Sequence, residues 1–194
     1  MSVEIHVLRG EDATDHLTDL ARLRIAVFRD WPYLYDGDLD YERRYLAAYA
    51  APGAVVVGAF EDGAMVGAAT AAPLEDHDAA FASVADALGT AAGDVYYLAE
   101  SVLLPSHRGR GLGHAFFDRR EAEARRLSRS HAAFCAVVRP RDHPARPERA
   151  RDLEPFWRGR GYAPVDGAVA WLAWRDAGEA EETEKPLRFW SRAL

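Results

Sequence analysis

The stretch "SVLLPSHRGRGLGHAFF", residues 101–117, runs from apolar residues through a proline into three glycines within five positions (Gly109, Gly111, Gly113), with Arg108 and Arg110 threaded among them. Glycine lets the backbone turn tightly and approach a ligand closely. A helix opening just after it adds unpaired N–H groups and the positive end of a dipole. The stretch therefore reads as a strand–loop–helix unit built to hold a phosphate.

Working outward, "DVYYLAESVLLP" (94–105) reads as one long buried strand, and residues 113–129 as the helix after the loop. On that helix Glu121 and Arg125 stand at i,i+4, and Phe117, Ala124 and Leu127 mark an inner face. "HAAFCAVVRP" is a second buried strand, and the prolines of "RPRDHPARPERAR" (139–151) exclude a helix there. "DLEPFWRGRGY" reads as a short helix ended by Gly161. "VDGAVAWLAWRD" and "KPLRFWSRAL" read as strands joined by the polar "AGEAEETE".

Upstream, "VEIHVL" (3–8) alternates like a strand. "DATDHLTDLARLRIAVF" has helical spacing, with Asp12 or Thr14 as its expected cap, and "LDYERRYLAAY" resumes a helix. Residues 54–60 and 64–74 form a hairpin turning at Asp62-Gly63, and "DHDAAFASVADALG" is a helix ended by Gly89. The order β α α β β α β α β α β β, without repeat or linker, predicts one α/β domain over residues 1–194, with a mixed sheet, helices around it and 139–151 inserted as a loop.

Three phosphate loops compete. A Walker loop needs Lys and then Ser or Thr after its second glycine, but here His114 follows Gly113 with no lysine nearby. A dinucleotide fingerprint needs G-x-G-x-x-G and an acid on the next strand, whereas this loop is G-x-G-x-G and the next strand ends Val137-Val138-Arg139. The third pattern is R-x-x-G-x-G, carried by Arg108, Gly111 and Gly113.

With its strand before and amphipathic helix after, that pattern resembles the acetyl-coenzyme A loop of the GNAT N-acetyltransferase superfamily, and the element order follows that fold over about residues 3–175. The resemblance implies a splayed central sheet with pantetheine in the gap. It assigns the backbone of Val102, Leu103 and Leu104 to pantetheine and the thioester carbonyl. Arg108, Gly109, Arg110, Gly111, Leu112, Gly113 and His114 are assigned to the pyrophosphate. It further implies acetyl-CoA as acyl donor and direct transfer to an amine.

Such a transfer needs a neutral amine, a stabilised oxyanion and a proton for the thiolate. Glu100, polar on an apolar strand, is the candidate base; Ser101, on the opposite face, is expected to pack. The family's late tyrosine, four residues before the glycine, is replaced by Trp157, whose indole only donates. Water, Tyr96, Tyr97, Tyr162 and Cys135 remain as alternatives for the acid. In this fold the first two helices and their connection usually line the acceptor site. Here they bring Trp31, Tyr33, Tyr35 and Asp36, with Asp38, Asp40 and Glu42 close by, which suits a cationic small molecule or peptide amine.

Composition narrows the classes. Residues 1–105 carry 6 Arg against 18 acids, residues 106–160 carry 14 Arg against 7, and residues 161–194 carry 4 basic against 6 acidic residues, within a net charge of −7. A compact polyanion at the basic segment fits this balance, and a long nucleic acid does not. No apolar run spans a bilayer, the N-terminus "MSVEIHVLRGED" has no signal-peptide pattern, and the single Cys135 suits a reducing cytoplasm as a small core residue. His77, His107 and His143 lack metal-ligand spacing, so no metal is expected. The inserted loop is a candidate clamp for the adenosine 3′-phosphate, cover for the acceptor or subunit contact. Trp171, Trp174, Phe189 and Trp190 either pack the last strands or form a homodimer contact. The rival readings are a non-catalytic acyl-CoA-binding module and a nucleotide-binding kinase-like protein.

Overall fold

A computed structural model describes residues 2–77 and 79–194. Alternating residues put β1 (Glu4–Leu8) at one edge of a sheet, antiparallel to β2 (Val55–Glu61). β2 turns at Asp62 and Gly63, both with positive φ, into β3 (Ala64–Pro73), the paired left-handed residues that a tight hairpin requires. The sheet order is β1-β2-β3-β4-β6-β8-β7, with β5 also on β3. Here β6 is His131–Val137, β7 Ala163–Arg175 and β8 Glu182–Ala193. The mixed α/β architecture expected from the element order is the observed one.

The central strand departs from the expectation. Residues 94–105 form two short strands, β4 (Val95–Tyr97) and β5 (Ser101–Leu103). Thr70 of β3 faces two residues at the break: Ala99 donates to its carbonyl and its own N–H reaches the Glu100 carbonyl, both at 3.0 Å. This is a bulge, and it redirects the strand. Upstream, β4 pairs in parallel with β6 from Val95↔His131 to Tyr97↔Ala133, and Leu98 donates to Ala133 at 2.8 Å. Downstream, β5 pairs only with β3, while Phe134–Val137 pair only with β8, so a gap opens between β5 and the end of β6.

Helix α1 (Gly10–Phe28) and α2 (Leu39–Leu46), extended by a 3-10 turn to Ala50, bury Leu20, Leu23, Leu46 and Tyr49 with Val56, Ala68 and Val102. Asp38 caps α2 by accepting from the Tyr41 N–H at 2.8 Å. Neither expected cap serves α1: extended Arg9 precedes it, and the Thr14 hydroxyl donates back to the Gly10 carbonyl at 3.1 Å. The helix expected over 76–89 is shorter, a 3-10 turn at Ala79–Phe81 and then α3 (Ser83–Leu88), ended by Gly89 with φ 65; Asp78 lies outside the described residues. Both segments pack on β7. Helix α4 (Leu112–Arg126) packs with β2, β3 and β6, and α5 (Glu154–Gly159) brings Phe156 and Trp157 against the core around Phe134, Tyr162 and Trp190. Trp174, Phe189 and Trp190 are buried, whereas Trp171 is 56% exposed on the edge strand β7. No described helix is long and apolar enough to cross a membrane.

Candidate active site

The glycine loop starts one 3-10 turn (Pro105–His107) after β5. Gly109 and Gly111 have φ of 78° and 82°, and a Cβ built on either meets nothing within 4 Å. Glycine is therefore set by backbone conformation, with open space where a side chain would stand. Helix α4 begins at Leu112, one residue earlier than expected, and His114 and Ala115 are the first to bond back, both to the Gly111 carbonyl. The Leu112 and Gly113 N–H groups are the open donors of the helix start. Gly113 lies inside the helix, where a Cβ would meet Phe156 at 3.5 Å.

The loop is tied to the β2–β3 hairpin. The His107 Nε2 is 3.0 Å from Glu61, the Ser106 hydroxyl is 2.9 Å from its Nδ1, and the Arg110 guanidinium reaches Glu61 at 3.3 Å. These partners, His107 first, hold the Glu61 carboxyl below its ordinary range. Arg108 Nε donates to the Leu103 carbonyl at 3.2 Å. Because Glu100 and Leu104 bond to β3, strand alternation turns the backbone groups of Ser101 and Leu103 toward the gap, and those of Val102 and Leu104 toward β3.

Arg120 of α4 locks the bulge from behind. It is 1% exposed and donates to the Thr70 carbonyl (3.2 Å), the Glu100 carbonyl (3.1 Å), the Phe116 carbonyl (3.1 Å) and the Ser101 hydroxyl (2.8 Å). Burial lowers its pKa to about 10, so it keeps its charge at neutral pH. Ser101 is exposed rather than packed as expected, with its hydroxyl on Arg120.

On the opposite face the Glu100 side chain enters a cluster drawn from three elements. Oε1 pairs with Arg24 of α1 and accepts from the Tyr45 hydroxyl of α2 at 2.6 Å; Oε2 accepts from Thr70 of β3. Arg24 also holds Glu42, which is fully buried, and lies 4.8 Å from the Tyr45 ring centroid. Burial works against the Arg24 charge, but Glu100, Tyr45 and Glu42 outweigh it and raise its pKa. Burial, reinforced by the Glu100 charge, raises the Tyr45 and Tyr49 hydroxyls, so both stay protonated.

The α1–α2 connection, with its cis Trp31-Pro32 bond, lies on the β7–β8 hairpin: Tyr35 bridges Asp176, and Arg139 donates to the Pro32 and Tyr33 carbonyls and to Asp176. Tyr33 is the expected acceptor residue brought to the gap side. Its hydroxyl reaches the Val137 backbone, and burial, then Cys135 and Glu100, raise its pKa. The Tyr35 side chain bonds Glu42. Trp31 contacts His143 of the inserted loop, with ring centroids 5.3 Å apart, and Asp36 is held by Arg29 (3.0 Å) and Arg175 (2.7 Å). The Trp157 ring packs on Phe134 and Trp190. Among the acid candidates, Tyr96 donates to Gly53 and Tyr162 to Glu121, while Tyr97 and Cys135 contact each other at 3.0 Å. Burial raises Cys135 to about 12.

Arg24, Tyr45, Thr70 and Arg120 were not singled out in the sequence. The available signal was a charge at inner helical positions: Arg24 sits in the register of Leu17, Leu20 and Val27, where an unpaired guanidinium is costly.

The acetyltransferase (GNAT) family model matches residues 20–147, and the chain belongs to that family. It is an acetyltransferase by that membership. Solved structures share the fold end to end. A ribosomal-protein-alanine N-acetyltransferase from Brucella melitensis has TM-score 0.63 at 15% identity, covering 100% of both chains. The yncA structure from Salmonella typhimurium, solved with its cofactor acetyl-CoA, has TM-score 0.62 at 16% identity, covering 100% of this chain and 95% of that one. A paia N-acetyltransferase from Thermoplasma acidophilum, in complex with coenzyme A, has TM-score 0.56 at 12% identity, covering 100% of both. No curated protein sequence matches the chain.

Proposed function

We propose that this acetyltransferase uses acetyl-CoA as donor and an amine nitrogen as acceptor, by direct transfer in a ternary complex. The carrying observation is the bulge opposite Thr70, which opens the β5–β6 gap beside the glycine loop and turns Glu100 to the other face. The residues present fit the donor: the open space at Gly109 and Gly111 and the α4 start suit a pyrophosphate, with Arg108 and Arg110 supplying charge beside it. The outward backbone of Ser101 and Leu103 suits an extended amide-bearing arm. Solved relatives of the fold carrying acetyl-CoA and coenzyme A support the same assignment.

In this reading the Tyr45 hydroxyl, donating to Glu100 at 2.6 Å, passes the ammonium proton to the carboxylate. The freed nitrogen attacks the thioester carbonyl, whose oxygen meets outward backbone N–H groups of β5. The C–N bond forms, the C–S bond breaks, and the proton that the nitrogen loses goes to the leaving thiolate.

Calorimetry with acetyl-CoA and CoA tests the donor: micromolar binding, weakened tenfold or more by Gly111→Val, is expected. Retained affinity in Gly111→Val would sink the loop assignment. Glu100→Gln is expected to lose at least about a hundredfold in turnover with unchanged acetyl-CoA affinity. A protein that binds acetyl-CoA but releases CoA to no amine would instead be a binding module.

A further inference from the structure

The sheet ends on one side at β7, and two contacts fix which of its backbone groups face outward. The Arg175 carbonyl accepts from the Asp36 N–H on the open side, at 3.0 Å. Pro186 of β8 lies opposite Trp171, and its carbonyl accepts from the Val138 N–H on the β6 side, away from β7. In an antiparallel ladder the N–H and C=O of one residue point the same way, and the direction alternates along the strand. Val169, Trp171 and Ala173 therefore present their backbone groups to the open edge. Among the described residues nothing pairs with them there.

This run of edge is bounded at both ends. The irregular register between Pro164 and Val169 closes one end, and the contacts of Asp36 and Tyr35 with Arg175 and Asp176 close the other. Between them stands Ala168-Val169-Ala170-Trp171-Leu172-Ala173-Trp174, without a charge or a proline. An apolar edge strand invites another strand, and edges left in water are blunted by charges, prolines or bulges. The opposite edge, β1, carries exposed Glu4 and His6. Here the exposed side chains are Trp171 and Val169.

We propose that this edge pairs with the same edge of a second copy of the chain, antiparallel about a two-fold axis at Trp171. Trp171 is the midpoint of the three outward-facing residues, so this register leaves none of them unpaired. Trp171 faces its own copy, and Val169 faces Ala173 in both directions, each pair exchanging two hydrogen bonds. The Trp171 rings and the flanking Val169 side chains then cover one another on one face of the joined sheet. The ends match in charge as well. Exposed Asp166 precedes the run and Arg175, which holds Asp36 at 2.7 Å, follows it; the two-fold axis sets each beside the other. The pairing is independent of the acetyl-transfer reading.

Sedimentation equilibrium of the full chain tests it, with wild type expected at twice the chain mass. Trp171→Glu and Trp171→Lys each set like charges against each other on the axis. Both are expected at the chain mass with unchanged circular dichroism. Mixed in equal amounts, they are expected to return to twice the chain mass, because a Glu–Lys pair replaces the like charges. The Val169 and Ala173 amides are expected to exchange about tenfold more slowly in wild type than in Trp171→Glu. A wild type at the chain mass at every concentration reached, which would leave the edge to a foreign strand, overturns the proposal. So do single variants that stay dimeric. Folded variants whose mixture stays at the chain mass overturn the two-fold register and the proposal with it.

Discussion

Arg24 occupies a position that helical spacing reserves for an apolar side chain, and it holds two carboxylates in place there. Replacing it by leucine leaves Glu42 and Glu100 buried without their cation, and a loss of about 3 kcal/mol in urea unfolding is expected. An unchanged unfolding midpoint would mean that water already reaches both acids. His77 gives the residue scale its pH dependence. Burial lowers its pKa below the ordinary 6.5, against the opposing charges of Glu100 across the cluster and Asp76 beside it; Tyr49, Phe81 and Tyr97 are its other neighbours. A base with a lowered folded pKa contributes its full stability above the unfolded value and loses it as pH falls through the folded one. The unfolding midpoint is therefore expected to drop below pH 6.5, less steeply in His77→Gln. The reverse slope would mean that the imidazole is charged in the folded state.

Among the elements, the divided central strand carries most of the proposed function. Arg120 bonds three carbonyls and a hydroxyl at the division, adding a second donor to those of Thr70 and Glu100, and Arg120→Met is expected to cost about 3 kcal/mol by removing these buried, charge-assisted hydrogen bonds. It should also broaden the Glu100 and Ser101 amide resonances, and a stable variant with sharp resonances would show that the pairing with Thr70 suffices alone. The element order, the hairpin and the glycine loop were legible because periodicity and turn residues are local signals. The bulge was not: "VYYLAESVLL" is uniformly strand-like, and its interruption depends on Thr70 facing two residues at once. The partners of Glu100 were hidden for the same reason, since Arg24, Tyr45 and Thr70 come from three other elements. The shortened α3 shows that helical spacing alone does not extend a helix through residues that a 3-10 turn seats on β7.

At the scale of the whole molecule, ion pairs bind distant segments. Glu123 of α4 meets Arg126 (2.6 Å) and Arg9 (2.6 Å) before α1, and these hydrogen bonds bring its carboxyl to about 2. A depressed acid contributes stability above its ordinary 4.5 and loses it as pH falls through about 2, so the stability margin of wild type over Glu123→Gln in urea unfolding is expected to shrink across that window, and a margin that does not change with pH would mean that the pair is absent. With the pair intact, the variant is less stable at pH 7 and its stability falls less between pH 4.5 and 2. Arg139 similarly joins the end of β6 to the α1–α2 connection and Asp176.

One sheet is continuous here only through β4, three residues long, paired to β3 at Ala72 and Pro73 and to β6 over Val95–Tyr97. Mechanically, the molecule is two plates on a short hinge, one of β1, β2, β3 and β5 and the other of β6, β8 and β7. In the binding mode proposed above, a donor wedged between β5 and β6 would act as a brace across the open side. Amides on both lips, Ser101–Leu103 and Phe134–Val137, then exchange with solvent more slowly together, and the two plates unfold as one body in place of two.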